Sequence, residues 1–269
     1  LDVVPVPHFY YDGVVLEVDV FCGGAGPWST TAAAVSLRTD SDMVWASINT
    51  PGSSVRAAVD QLDIELAAVG TDRSHLLSAH WTVPTGKSLN VADTVADMAL
   101  FPDPGAVVSA GADNATANGR FVFTTGPVIT DAAATVDNVV ISATRSGRFG
   151  WVQARSIDRN VDLVEQTRQI MTAIEARLAA HGVGFDAVVK ATSLYTGGSS
   201  AAELHDNMSV RNAYYKRPGP ASTGLPVFGL ADERSRIVVD VTYAKGSANG
   251  SSGKPADGLA AVTGRTQRS

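Results

Sequence analysis

The sequence predicts an α+β fold made of two tandem units, each with helices packed on one face of a mixed β-sheet. Three observations predict it. Two hairpin patterns recur, "VSLRTDSDMVWASI" (35–48) and "ISATRSGRFGWVQA" (141–154), each alternating and each broken by a polar or Gly-containing turn. An amphipathic segment follows each hairpin and closes on nearly the same letters, "LAAVG" (66–70) and "LAAHG" (178–182). A run of strand length then follows each, "HLLSAHWTV" (75–83) and "AVVKATSLY" (187–195).

Taken in order, "VDVFCGG" (18–24) reads as the opening strand of the first copy, and "FVFTTGP" (121–127) as its counterpart in the second. Aligned so, Cys22 matches Thr125 and Gly23 matches Gly126. After the first hairpin, Val55, Val59, Leu62, Leu66 and Val69 form one apolar stripe at helical spacing, with Ser53 or Ser54 as cap. In the second copy Leu163, Val164, Ile170, Met171, Ile174 and Leu178 mark the buried face, and Asp162 with Glu165 resembles a capping box. Gly70 and Gly182 end the two helices, where glycine adopts the left-handed conformation cheaply.

Each copy then offers a second helix, "VADTVADMALF" (91–101) and "AAELHDNMSVRNAYY" (201–215), the latter with Leu204, Met208, Arg211 and Tyr215 on one face. The second copy adds two strands, "STGLPVFGL" (222–230) and "RIVVDVTYA" (236–244), where the first has only "AVVSAG" (106–111). These elements place the first unit at 1–114 and the second at 115–245, with a boundary in the polar run 112–119. Residues 246–269 are rich in Gly and Ser and read as a flexible tail.

Composition narrows the class. The chain has 269 residues, 45% hydrophobic and 18% charged, which suits a globular protein with one or two cores. A net charge of −6 argues against a nucleic-acid groove, which needs clustered Lys and Arg. No run approaches the ~18 apolar residues of a membrane span. The start carries no basic region followed by an apolar run, so a cytoplasmic location is expected. The single cysteine, Cys22, excludes an internal disulfide, and the five histidines have no metal-ligand spacing. "GGAG" (23–26) is too short for a phosphate loop, so neither metal nor cofactor is expected.

Four stretches in order, "GRFVFTTGPVI" (119–129), "QTRQIMTAIEARLAAHGVGFDAVVKATSLY" (166–195), "GPASTGLPVFGL" (219–230) and "RIVVDVTYA" (236–244), resemble the Rid/YjgF family, known for imine and enamine deaminases. The first copy resembles it only through its likeness to the second. The resemblance implies a chorismate-mutase-like α+β fold and a trimeric ring with clefts between neighbouring units, hence a homo-oligomer, with a small-molecule substrate.

In deaminating members an arginine follows Pro-Ala and grips the substrate carboxylate; here Ser222 follows Pro220-Ala221. A hydroxyl cannot replace that charge, and one lost charge-assisted contact costs about 1.5–3 kcal/mol. Ser222 could equally just begin a strand. The water-activating carboxylate of the last strand falls on Val238, and Asp240 lies two residues on, pointing the same way. Asp240 is a candidate proton carrier or a structural salt-bridge acid. Thr125 and Gly126 match the family's hydroxyl-plus-glycine pair at the cleft wall, and Asn207 a helix asparagine lining it. Thr223 and Gly224 complete the segment, by hydroxyl and by backbone. Arg155, ahead of the second helix, is a candidate replacement cation or a solvated loop charge. Cys22 is a candidate nucleophile or an inert buried residue. His80 reads as a half-buried polar residue.

The expected function is therefore a diverged Rid-fold enzyme of specialised metabolism. It would act on a small imine, enamine or carbonyl intermediate by hydrolysis, dehydration, tautomerisation or cyclisation. The alternative is a non-catalytic ligand-binding or scaffold member.

Overall fold

The structure is a computed structural model; it describes residues 28–30, 34–50, 55–84, 107–111, 117–197, 200–216 and 219–246. The expected strand at 18–24, the caps Ser53 and Ser54, the helix at 91–101 and the tail beyond Gly246 lie outside the described residues.

The first described elements are β1 (Trp28–Thr30), β2 (Val35–Asp40), β3 (Met43–Thr50), α1 (Val55–Ala68), β4 (Leu76–Pro84), β5 (Val107–Gly111) and β6 (Ala117–Thr124). Then come β7 (Ile129–Val136), β8 (Val139–Ser146), β9 (Phe149–Ser156), α2 (Leu163–Ala180), β10 (Val188–Tyr195), α3 (Ala201–Asn212), β11 (Ala221–Pro226), β12 (Gly229–Leu230) and β13 (Ile237–Ala244). The result is a mixed α+β fold with two sheets.

Both hairpins form as the alternation predicts. β2 pairs with β3 and β8 with β9, each turning on a first residue in the left-handed region, Ser41 (φ 52°) and Gly147 (φ 55°). Both helices end on a left-handed glycine, Gly70 (φ 81°) and Gly182 (φ 72°). The next residue donates back to the helix in each: Thr71 N to Leu66 O (3.0 Å) and Val183 N to Leu178 O (3.0 Å). At the start of α2, Asp162 Oδ1 accepts from Glu165 N (2.8 Å), as the capping pattern predicts.

Strand partners depart from the expected boundary. The first sheet runs β1-β2-β3-β6-β4-β5-β12, and the second runs β7-β8-β9-β13-β10-β11. Strand β6, expected to open the second copy, is a central strand of the first sheet, between β3 and β4. It stands where β13 stands in the second sheet, between β9 and β10. Strand β7 opens the second sheet instead, through a two-residue turn at Asp137 (φ 46°) and Asn138 (φ 64°). An alternating apolar strand fits the middle of either sheet, so its letters do not choose between them. The expected single strand 222–230 is likewise split. β11 pairs in parallel with β10, the chain crosses at Val227 and Phe228, and β12 joins β5 of the first sheet.

Each sheet buries one face beneath its helix. In the first, Val44, Ile48, Val59, Leu62, Leu66, Trp81, Phe121 and Phe123 close the core. In the second, Ile141, Val152, Ile170, Met171, Ile174, Leu178, Val239 and Val241 do so. The opposite faces meet each other. Thr144 Oγ1 on β8 donates to Leu77 O on β4 (2.5 Å), and Thr124 Oγ1 lies 3.2 Å from Ser146 Oγ. Leu194, Val227, Leu230 and Val238 form a small separate core on this side. No described helix is long and apolar enough to cross a membrane.

Candidate functional site

Register decides which candidate residues can meet, because side chains in a strand alternate faces. Ser142, Gln153, Asp240, Thr192 and Thr223 form one row across β8, β9, β13, β10 and β11. Asp240 faces the first sheet from this row. There its Oδ2 lies 3.4 Å from His80 Nε2 on β4, with side chains 11% and 17% exposed. In the first sheet His80 stands beside Arg120 of β6 in register, so a half-buried guanidinium shares the same face. An imidazole and a carboxylate are side-chain types that can carry a proton to or from a third group.

The neighbouring row of the second sheet is apolar at its centre. Val238, where the resemblance led one to expect a water-activating carboxylate, is buried against Leu194 and Val227. Its partner on β9 is Arg155. Arg155 is therefore a strand residue rather than a loop charge, and it already faces an acid. Its Nε lies 3.7 Å from Asp232 Oδ2. Asp232 also accepts from Arg234 Nε (2.9 Å) and Nη2 (2.7 Å), and those bonds hold its carboxyl below the usual range despite partial burial.

Ser222 and Gly224 fall on the other face. They pair with Ala191 and Ser193, whose side chains point towards the helices, whereas Thr223 pairs with Thr192. Beneath Gly224 lies a buried polar chain. Arg211 of α3 donates from Nε to Asn207 Oδ1 (2.9 Å) and from Nη1 to Ser193 Oγ (2.7 Å), and Asn207 Nδ2 donates to Thr167 Oγ1 (2.9 Å). Asn207 is 1% exposed and Arg211 5%, so Asn207 is a packed residue rather than a solvated one. The buried stripe of α3 is Leu204, Asn207 and Arg211, while Met208, expected on that face, is 39% exposed. Burial works against the Arg211 charge, and the Tyr215 and Tyr195 phenols partly oppose that shift.

Thr125 and Gly126 join neither group. Thr125 is exposed beyond the end of β6, its N–H donating to Asp42 O (2.9 Å), and Gly126 N donates to Thr124 Oγ1 (3.0 Å). The buried hydroxyl here is Thr124, which touches Ser146. Ser146 lies four residues along β8 from the Asp240 row, about 13 Å away. Cys22 lies outside the described residues. Among the described residues no cluster of His, Cys, Asp and Glu could hold a metal ion.

The structure thus divides the sequence candidates between two places: Asp240 and Thr223 between the sheets, and Asn207 and Gly224 on the helix side. His80 and Arg211 are the two residues that sequence reasoning undervalued. Arg211 had a readable signal, since it follows Asn207 by one helical turn. His80 had none, because its partner comes from the other sheet.

A family described as Endoribonuclease L-PSP matches residues 113–242. This segment, just under half of the chain, is of the Rid/YjgF family. Solved structures of similar fold include a YjgF family member from Neisseria meningitidis, at 16% identity with a TM-score of 0.35, covering 45% of this chain and 98% of that one. RidA from an Antarctic Psychrobacter species is 18% identical with a TM-score of 0.33, covering 42% and 91%. A member of the YjgF/YER057c/UK114 family from Mycobacterium tuberculosis is 17% identical with a TM-score of 0.33, covering 38% and 83%. No curated protein matches the chain.

Proposed function

We propose that this chain is a diverged Rid-fold enzyme acting on a small imine, enamine or carbonyl compound between its two sheets. The observation that carries the reading is the His80–Asp240 pair, 3.4 Å apart and mostly sheltered. The Asp240 carboxylate holds the imidazole in place, and His80 accepts or donates the proton as the C=N or C=O carbon changes hybridisation. Thr192 and Thr223, in the same row, supply neutral hydrogen bonds. Hydrolysis, dehydration and tautomerisation each need such a proton carrier.

We further propose that the chain carries two copies of the Rid unit. The common strand order of the two sheets, with β6 and β13 in equivalent places, supports it. A trimer of such chains would follow the family's ring.

The reading is tested by generating 2-imino acids with an amino-acid oxidase and following their hydrolysis, alongside a panel of small enamines and conjugated carbonyl compounds. Turnover of at least one member, lost in both His80→Gln and Asp240→Asn, supports it. Turnover unchanged in both variants removes the pair from the mechanism. The second reading, a non-catalytic ligand-binding or scaffold member, is favoured by one observation: Val238 is buried in an apolar cluster at the position of the family's water-activating acid. Ligand binding without turnover across the panel would select it. The ribonuclease activity in the family's description fits poorly with the net charge of −6.

A further inference from the structure

We infer that β7 is an interface for a second copy of this chain, paired antiparallel with its own counterpart across a two-fold axis between Ala132 and Ala133. Strand β7 ends the second sheet, and β8 is its one strand partner among the described residues. Every residue of β7 except Asp131 is exposed. An open edge in a protein that stays single is commonly guarded by lysine, by proline or by an inward-turned charge. β7 reads "ITDAAATV", with no lysine and no proline. Its one charge, Asp131, is already engaged by Arg145, Arg177 and His181. Its two large apolar side chains are left in solvent, Ile129 at 55% exposure and Val136 at 51%.

The strand is complementary to itself. About an axis at its middle, Ile129 lies opposite the partner's Val136, and Thr130 opposite the partner's Thr135. Asp131 meets the partner's Ala134, and Ala132 meets the partner's Ala133. Apolar thus faces apolar, hydroxyl faces hydroxyl, and no like charges are opposed, which are the pairs that stabilise a sheet. A regular strand could not pair in this register. Residues opposite each other in an antiparallel pair share a face, whereas strict alternation would put Ile129 and Val136 on different faces. A bulge removes the conflict. From Asp131 to Ala134 β7 takes three steps where β8 takes two, from Ala143 to Ile141. Ile129, Asp131, Ala134 and Val136 therefore all stand on the helix side, in register with Arg145, Ala143, Ile141 and Val139. Thr130 and Thr135 both stand on the other side. A bulge ordinarily spoils an edge for pairing; this one falls on the axis and brings the two halves into phase. A two-fold contact is isologous and closed, so association through it stops at a pair.

The interface rests neither on the proposed chemistry nor on the family's ring, because its test reads whether chains associate in even numbers. The full chain is measured by light scattering on a sizing column and by sedimentation over a dilution series. The expected mass is that of two chains, or of six where a three-fold ring also forms. Ile129→Glu with Val136→Glu sets like charges opposite each other across the axis. It is expected to halve the mass and leave the circular dichroism spectrum unchanged. Ile129→Glu with Val136→Lys sets opposite charges there and is expected to restore the mass. Within one chain the two positions lie about 20 Å apart, so this rescue reads pairing between chains. An odd number of chains in the wild type, an unaltered mass in the folded doubly acidic variant, or no restoration by the mixed-charge variant would each overturn the assignment. So would a single chain whose β7 amides resist hydrogen exchange, because another segment of the same chain would then cover the edge.

Discussion

His80 Nε2 and Asp240 Oδ2 lie 3.4 Å apart although 160 positions separate them, and they come from different sheets. Each stands on the sheet face turned away from its own helix. The pair therefore exists only because β4 lies against the second sheet, fixed by the Thr144–Leu77 bond. If the two residues act as one proton-handling unit, their mutational effects do not add. His80→Gln and Asp240→Asn should each lower turnover by roughly 10²–10⁴-fold, and the double variant should lose little more than the worse single one. Steady-state kinetics on the substrate found in the panel checks this; multiplicative losses would mean that the two residues act separately.

Gln166 ties α2 to the segment that leads into β13. It is fully buried; its Nε2 donates to Asp158 O (2.7 Å) and Arg234 O (3.0 Å), and its Oε1 accepts from Arg236 N (2.7 Å). Gln166→Ala takes the partner from three part-buried backbone groups and should cost about 3 kcal/mol or more, at ~1–3 kcal/mol per group left unpaired. Gln166→Glu should cost more, because a carboxylate oxygen would then face two carbonyls. Urea unfolding of the two variants gives the order, and the reverse order would contradict this account of the bonds.

Gly150 leaves room for the Tyr243 ring, which occupies the place a Cβ would take. Because Tyr243 is 1% exposed in the core of the second sheet, it cannot swing aside. Gly150→Ala should destabilise the fold by about 1–3 kcal/mol through overpacking. Thermal or urea denaturation measures it. Near-wild-type stability would mean that the ring has somewhere else to go.

Three titratable groups are chained at the end of α2. Tyr243 Oη lies 2.9 Å from His181 Nδ1, and His181 Nε2 lies 2.5 Å from Asp131 Oδ2. Arg145 and Arg177 also face Asp131. Burial lowers the His181 pKa more than Asp131 raises it, so the ring stays neutral. It then donates from Nε2 to Asp131 and accepts at Nδ1 from the Tyr243 hydroxyl, whose pKa burial raises. Burial alone would raise the Asp131 pKa, but His181, Arg177 and Arg145 together bring it below the usual carboxylate range.

Both His181 and Asp131 thus have folded pKa values below their unfolded ones. Their stabilising contributions are complete above the unfolded values, about 6.5 for His and 3.9 for Asp. Each is lost as pH falls through the folded value, because the unfolded chain binds the proton first. Stability should therefore begin to fall below about pH 6.5, with a second decline below about pH 4. His181→Gln should remove the first decline and keep the second, as read from urea midpoints across pH. A variant with the wild-type profile would assign the first decline to another group.

The sequence by itself determined the local structure. Alternation placed both hairpins, helical spacing placed the buried faces of α1 and α2, and Gly70 and Gly182 marked where the helices stop. These are short-range effects of backbone sterics and side-chain period, so neighbouring letters contain them. The likeness of residues 113–242 to the Rid family was legible in the same way, through motifs met in order along the chain. What only the tertiary structure decided was partnership. It placed β6 in the first sheet, carried β12 across to β5, and separated Ser222 from Asp240 by a one-residue difference in phase. It also joined His80 to Asp240 and set Arg211 beneath Gly224. Strand pairing and register are settled by burial summed over a whole sheet, and no local stretch of sequence contains that sum.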